Sequence, residues 1–329
     1  MFNQWIKFWD VVLQSPQEFE WNTPSSIVLD FPNLALRDFG GDGDVCLFLP
    51  PQAGHNSKLE DWDKGQSPIQ VALDAGFHVF MADWKPPDSD TKDFTLDDLI
   101  DYTEIVLDTL YSVYGKVILK GDCQGGWLAA ILTARNPHKV KHLIISATPI
   151  DFHADDGLIK FYSQLFPMEF YEWLVCLGGG YYNGYFQLLA FHMLNPYKYF
   201  VQEYFDLWNN IDNDQFIDRW KHFHKGWFEC PRDISGPLYL DIVKMFKYNP
   251  LVKGELIING DVVDLSKINC PVDVLTGGKD HITTEHQSTN LENFIPINHI
   301  HINESGHIGV FQGAANLKTI WPKVYQGIR

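Results

Sequence analysis

Short apolar runs recur along this chain with helix-like segments between them. They are Val45 to Leu49, His78 to Ala82, Lys116 to Leu119, His142 to Ser146, Val272 to Leu275 and His299 to Ile302. This alternation predicts an α/β fold: a mostly parallel sheet with helices on both faces. The intervening helices are expected over Gln66 to Ala75 and Leu96 to Tyr111. In the latter, Leu99, Tyr102, Val106 and Leu110 fall three or four apart, as one buried helix face requires. Beyond Asp151 the pattern breaks for about a hundred residues into aromatic-rich, helix-forming sequence such as Phe161 to Phe166 and Phe200 to Trp208. That block is too long for a loop and too apolar for a linker. It predicts a helical cap over 153–255, inserted between two parts of a sheet domain at 1–152 and 256–329. Gly178-Gly179-Gly180 offers a break at which part of the cap could hinge.

Composition narrows the function classes. The chain has 329 residues, 45% hydrophobic and 20% charged, with a formal net charge of −17. That is the make-up of a globular enzyme. It argues against nucleic acid as partner, because binding there rests on neutralising phosphates with Lys and Arg, and against a polybasic contact with lipid. The opening Met1 to Asp10 lacks the positive start and continuous apolar stretch of a signal peptide. No run of apolar residues is long enough for a membrane span, so a cytoplasmic location is expected. Five cysteines, odd in number and widely spaced, fit a reduced compartment, and no C-x-x-C pair suggests zinc. His222-x-His224 and His299-x-His301 have ligand-like spacing but no converging Cys, Asp or Glu motif, so they read as surface or core pairs. No metal or cofactor is expected.

The chemistry is concentrated at Gly121-Asp122-Cys123-Gln124-Gly125, where a strand gives way to a helix-forming run. This reads as a nucleophile elbow carrying cysteine. The central residue of such a turn is strained, so the residues two before and two after must be small. The following helix aims its first N–H groups at the sulfur, favouring a thiolate and later an oxyanion. The competing reading makes Cys123 one more buried cysteine, like Cys46 and Cys270. An elbow thiol needs a base and an orienting carboxylate from loops after later strands. Asp280 follows the strand ending at Leu275, and His307 follows the next one. His281 is a weaker candidate base, because it points away if Asp280 faces the site. The oxyanion hole is expected from the N–H of Gln124 and from the Pro50 to His55 loop, with Gln52 and Ala53 as candidates. His55, Trp127 and His281 are the candidate substrate contacts. Asp83 is expected to fix a turn and Trp84 to pack.

From about Val45 onward the chain resembles the polyhydroxyalkanoate synthase and intracellular polyhydroxyalkanoate depolymerase group of α/β-hydrolases. The matching stretches are Gly121 to Gly126, Asp83-Trp84, Thr95 to Asp98, Thr148-Pro149-Ile150-Asp151-Phe152, Gly277-Gly278-Lys279-Asp280-His281-Ile282 and Ser305 to Phe311. The resemblance implies an α/β-hydrolase fold and places Cys123, Asp280 and His307 on the group's catalytic positions. It further implies a hydroxyacyl ester or thioester substrate, a polymer granule as partner, and no cofactor. Cys-x-Gly-Gly at the elbow and Asp-His-Ile resemble the short synthase subunit, which uses hydroxyacyl-coenzyme A. Pro51 to His55 and Gly309 to Gly313 look more like the depolymerase branch, and Trp127 departs from the synthases. Hydrolysis of hydroxyalkanoate esters or oligoesters is therefore expected ahead of polymer synthesis. A catalytically silent, granule-associated binding protein is a third reading, and oligomerisation is left open.

Overall fold

The computed structural model describes residues 2–329 and is built on an eight-stranded sheet. Its strands are β1 (Ser26–Asp30), β2 (Leu34–Asp38), β3 (Val45–Leu49), β4 (His78–Trp84), β5 (Val117–Asp122), β6 (Val140–Ser146), β7 (Val272–Gly277) and β8 (His299–Asn303). They stand in the order β1-β2-β4-β3-β5-β6-β7-β8. β2 runs against both of its neighbours, and all pairs from β4 to β8 are parallel. Each of the six predicted runs is a strand. β4, β5 and β7 extend further at their C-terminal ends, where the chemistry-bearing residues follow. β1 and β2, the antiparallel strands at one edge of the sheet, fall outside the predicted runs. Asp83 is corrected by the same pairing. It lies inside β4 instead of in a turn, and its carboxylate takes the Arg37 guanidinium of β2 at 2.6 Å.

Local signals start the flanking helices. α1 (Phe2–Val12) opens the described chain. α2 (Pro68–Asp74) begins at Ser67, whose side chain accepts the Gln70 N–H, with proline at the first turn. α3 (Leu96–Tyr114) has a capping box between Thr95 and Asp98. α4 (Gln124–Arg135) is buried from Gln124 to Ala134, sandwiched between the sheet and α3. Between β6 and β7 lie α5 (Leu158–Leu165), α6 (Met168–Leu177), α7 (Gly184–Leu194), α8 (Glu203–Asn209), α9 (Asp214–Phe223), α10 (Gly236–Tyr248) and α11 (Pro250–Lys253). α12 (Glu285–Thr289) follows β7. After β8 come α13 (His307–Gln312), α14 (Ala314–Thr319) and α15 (Trp321–Ile328).

The inserted helices rest on the core and on the start of the chain. Val11 of α1 packs with Leu207, Ile211, Ile217 and Trp220, so the first helix folds onto the insert. Glu18 pairs with Arg232 at 2.8 Å, and the Arg232 guanidinium also donates to the Trp84 carbonyl. The Gly178 to Gly180 break is a tight turn. A Cβ on Gly178 would meet the Tyr181 carbonyl at 2.1 Å, and the Gly236 N–H bonds back to Gly180. Gly179 and Gly180 both have positive φ, at 71° and 101°.

Period-two alternation divides the core. Val117 and Leu119 of β5 join Leu99, Val106, Leu110, Trp127 and Ile131 on the α3–α4 face. Ile118 joins Phe48, Ile69, Trp321 and Tyr325 on the other. By the same alternation Lys120 and Asp122 enter that second face, where both are buried. Lys120 meets Glu60 at 2.8 Å and also pairs with Asp122, which in turn accepts the Ser146 hydroxyl. Phe48 and Trp321 present ring faces to the ammonium at 4.3 and 5.0 Å. Burial works against the lysine's charge, but the two carboxylates outweigh it and raise its pKa. Burial and then the Asp122 charge push the Glu60 carboxyl well above its ordinary range, while Lys120 pulls the other way.

Removing the cation should leave an uncompensated buried charge directly beneath the elbow. Lys120→Met is expected to lower the unfolding free energy by about 3–5 kcal/mol, read as a lower urea midpoint with unchanged slope. Combining it with Asp122→Leu and Glu60→Met should recover part of that loss.

Candidate active site

Cys123 follows the last residue of β5 and precedes the first of α4 with φ 51° and ψ −117°, a left-handed conformation costly for a side chain. Its neighbours leave it no alternative. A Cβ on Gly121 would stand 2.3 Å from the Gly125 carbonyl oxygen, and one on Gly125 would stand 1.8 Å from that of Leu49. A Cβ on Gly126 would meet the Thr148 hydroxyl at 1.8 Å. The backbone of the turn is thus pressed against itself, β3 and the turn after β6. The Cys123 N–H donates to the Ser146 carbonyl at 2.8 Å, and Gly126 N–H to that of Cys123 at 3.1 Å. These bonds hold the strain.

Asp280 and His307 reach this point from β7 and β8. The Asp280 carboxylate is buried. One oxygen accepts the N–H groups of Ile282 and Thr283 at 2.8 and 2.9 Å, and the other accepts the His307 Nδ1–H at 2.7 Å. His307 opens α13 after Gly306, and its ring is buried. With Nδ1 committed to Asp280, Nε2 is the nitrogen left over, and the Cys123 sulfur is near enough to act on the charge of the ring. Burial disfavours the imidazolium, but the Asp280 charge and then Cys123 outweigh it and hold the His307 pKa well above its ordinary value. This arrangement can take a proton from sulfur and stabilise the resulting ion pair.

The remaining expected residues divide. Gln124 is the first residue of α4, so its N–H has no acceptor within the helix. The loop carrying Gln52 and Ala53 starts beside the elbow, because the Leu49 and Pro50 carbonyls both abut Gly125. His281 is exposed, within electrostatic reach of Asp280, His307 and Lys198, which puts it at the rim. Two substrate contacts need correction. Trp127 has no exposed surface and packs in the α3–α4 core, since α4 is covered on every side. His55 is also buried. Its Nε2 meets the Phe228 carbonyl at 2.9 Å and its ring stacks on Trp227 with centroids 4.4 Å apart, which makes it a strut between core and insert. The reading missed Ser146, Thr148 and the Lys120 group, although two charges at alternate positions of an otherwise apolar strand were a usable signal.

Residues 44–311 match the model of a family described as a protein of unknown function, DUF3141. The chain belongs to that family. This DUF3141 member is also 26% identical over 313 residues to the poly(3-hydroxyalkanoate) polymerase subunit PhaC of Haloferax mediterranei, a match covering 92% of this chain and 63% of that protein. It is 28% identical over 272 residues to the protein of the same name from Allochromatium vinosum, covering 81% and 75%. The chain therefore spans somewhat under two thirds of the length of the first relative. Among solved structures it superposes on a carboxylesterase of Nitrososphaera gargenis with a TM-score of 0.58 at 19% identity, covering 93% of this chain and 98% of the other. A thermophilic esterase from Thermogutta terrifontis gives 0.56 at 16%, covering 92% and 97%. The structural likenesses show the α/β-hydrolase fold, and the sequence is similar to that of poly(3-hydroxyalkanoate) polymerase subunits. Among the described residues no helix is long and apolar enough to cross a membrane.

The His307 environment gives a pH signature. Because its folded-state pKa is raised, the stability contributed by the Asp280 pair should be full below pH about 6.5 and lost as the pH rises through the folded value. Ring-proton NMR should place the His307 titration well above 6.5 and move it down in Asp280→Asn. A ring titrating at or below 6.5 in the unsubstituted chain would contradict the geometry.

Proposed function

We propose that this protein is a cysteine-dependent acyltransferase that takes hydroxyacyl groups from a coenzyme A thioester, with Cys123 as nucleophile, His307 as base and Asp280 as the carboxylate that orients it. The single observation carrying the reading is the strained Cys123 beside the His307–Asp280 pair. The sulfur's proton passes to His307 Nε2. The thiolate adds to the thioester carbonyl, whose oxyanion is received by the N–H of Gln124 and by the Gln52–Ala53 loop. Collapse breaks the carbon–sulfur bond to coenzyme A, and the imidazolium protonates the departing thiolate. A hydroxyl then attacks the acyl-Cys123, gives its proton to His307 Nε2 and releases the thiol.

The choice of sulfur bears on the substrate. A thiolate exchanging with a thioester forms a bond like the one it breaks, whereas attack on an oxygen ester must climb to a more reactive thioester. This favours transfer over the hydrolysis expected from the Pro51 to His55 and Gly309 to Gly313 stretches, and the polymerase names of the relatives point the same way. The insert serves as a cap in this reading. Gln187 and Arg232 touch Gly54, and Asp155 meets His286 at 3.0 Å, so the insert rests on the loop after β3 and on α12. Its exposed apolar side chains, among them Phe161, Trp173, Tyr185, Tyr197 and Phe205, offer a surface for an acyl chain or a polymer granule.

Offering 3-hydroxybutyryl-coenzyme A and short hydroxybutyrate oligoesters separately tests this. The thioester should release free coenzyme A, leave a hydroxybutyryl adduct on Cys123 visible by intact mass, and extend a hydroxyl-bearing primer. Turnover of oligoesters alone, with free acid as the product, would replace transfer by hydrolysis, and no adduct with either would leave a silent binding protein. Cys123→Ala is expected to cut turnover by about 10⁴-fold or more with an unchanged melting temperature. His307→Gln and Asp280→Asn should each impair acylation, with the double variant losing far less than the product of the two.

A further inference from the structure

The far end of the sheet holds a second cluster that acyl transfer does not use. β5, β7 and β8 are oriented so that the elbow, Asp280 and His307 follow their C-terminal ends. Asp273 is the second residue of β7 and His299 the first of β8, so both lie at the opposite end. The register sets Asp273 opposite His299 and Leu275 opposite His301, and alternation turns His299 and His301 to one face. One ligand atom from each of Asp273, His299 and His301 falls within 4.8 Å of the others. Asp273 Oδ1 is 2.9 Å from His299 Nδ1, and Oδ2 is 2.9 Å from Nε2 of the buried His142 on β6. Among the described residues, His301 Nε2 is buried without a hydrogen-bond partner. A buried imidazole nitrogen left unpaired is costly, and a bound cation would satisfy it.

We propose that Asp273, His299 and His301 form a binding site for a divalent transition-metal ion of the zinc type. Two imidazoles and one carboxylate are borderline-soft donors suited to zinc, cobalt or nickel and poorly suited to calcium or magnesium. His142 holds the second carboxylate oxygen and fixes the direction of the first, as outer hydrogen bonds do around metal ligands. His299 is exposed and provides the route of entry, while three protein ligands leave a fourth position to water. The ion would fasten β8, the edge strand that among the described residues pairs with β7 alone, onto its neighbour. Since β8 leads through Glu304 to Gly306 into His307, the clamp would steady the strand that carries the base. The His299-x-His301 spacing, read from the sequence as an ordinary pair, thus acquires its third ligand through strand pairing.

Titrating the untagged, chelator-treated full chain with Co²⁺ and Zn²⁺ tests the site. One equivalent of Co²⁺ should bind with ligand-field absorption of a nitrogen–oxygen site and no thiolate charge-transfer band, and Zn²⁺ should raise the melting temperature. His299→Ala and His301→Ala should each weaken binding by about 100-fold or more, and His142→Gln by about 10-fold, while Cys123→Ser leaves it unchanged. Should the alanine variants fail to fold, His299→Asn and His301→Gln carry the same expectation. No saturable binding, a thiolate band that disappears in Cys123→Ser, or unaltered affinity in the His299→Ala, His301→Ala double variant would overturn the proposal.

Discussion

The structure turns on how closely three backbones meet at Cys123. The Gly125 backbone lies against the Leu49 and Pro50 carbonyls, Gly126 against Thr148, and Gly121 against the start of α4. These contacts force the left-handed Cys123 and set where the sulfur emerges. They also fix the relative heights of β3, β5 and β6, and hence the loops that start from their ends. Strain of this kind, on the order of 1–3 kcal/mol, survives only where the surroundings over-determine it. Here two backbone hydrogen bonds and the close contacts of three glycines, two with backbone and one with the Thr148 side chain, do so.

Charge beneath the elbow serves the same end. Lys120, Asp122 and Glu60 sit without solvent on the face of β5 opposite α4, and Asp122 reaches Ser146, whose carbonyl in turn holds the Cys123 N–H. A buried ion pair is a weak source of stability, because desolvation offsets the attraction. Its value lies in specificity. A lysine with two carboxylates and two aromatic faces has one satisfactory position, and that position ties β5 to β6 and to the loop bearing Glu60.

The insert is bound differently. Part of it joins the two core clusters through side chains such as Leu238, Val243, Met245, Leu188 and Trp227. Polar struts such as His55 to Phe228, Arg232 to Gly54, and Asp155 to His286 add to this, and α1 packs on its α8 and α9. Many of its aromatic side chains remain exposed, while the central strands β3, β5 and β7 are buried throughout. In the proposed reaction this division separates a rigid site from a covering that contacts the acyl group and excludes water.

What could be read from the chain follows from the range of the forces involved. Period-two runs, the capping signals at Thr95 and Ser67, and the spaced glycines around Cys123 are local, and local sterics already limit what such segments can become. They determined the six parallel strands, the elbow, and the loops bearing Asp280 and His307. β1 and β2 precede the alternating strand and helix pattern and join the sheet by antiparallel pairing at its edge. Which side chains face the sulfur depended on long-range burial: α4 is enclosed on every side, so Trp127 sits in the core despite its place beside the elbow, and His55 is drawn into the insert. The pairing of β7 with β8 likewise brought Asp273, from a distant part of the chain, to His299 and His301. Sequence spacing fixes only neighbours along one strand or helix. Register between strands, set by hydrogen bonds across the sheet and by the sealing of its two faces, decided the rest.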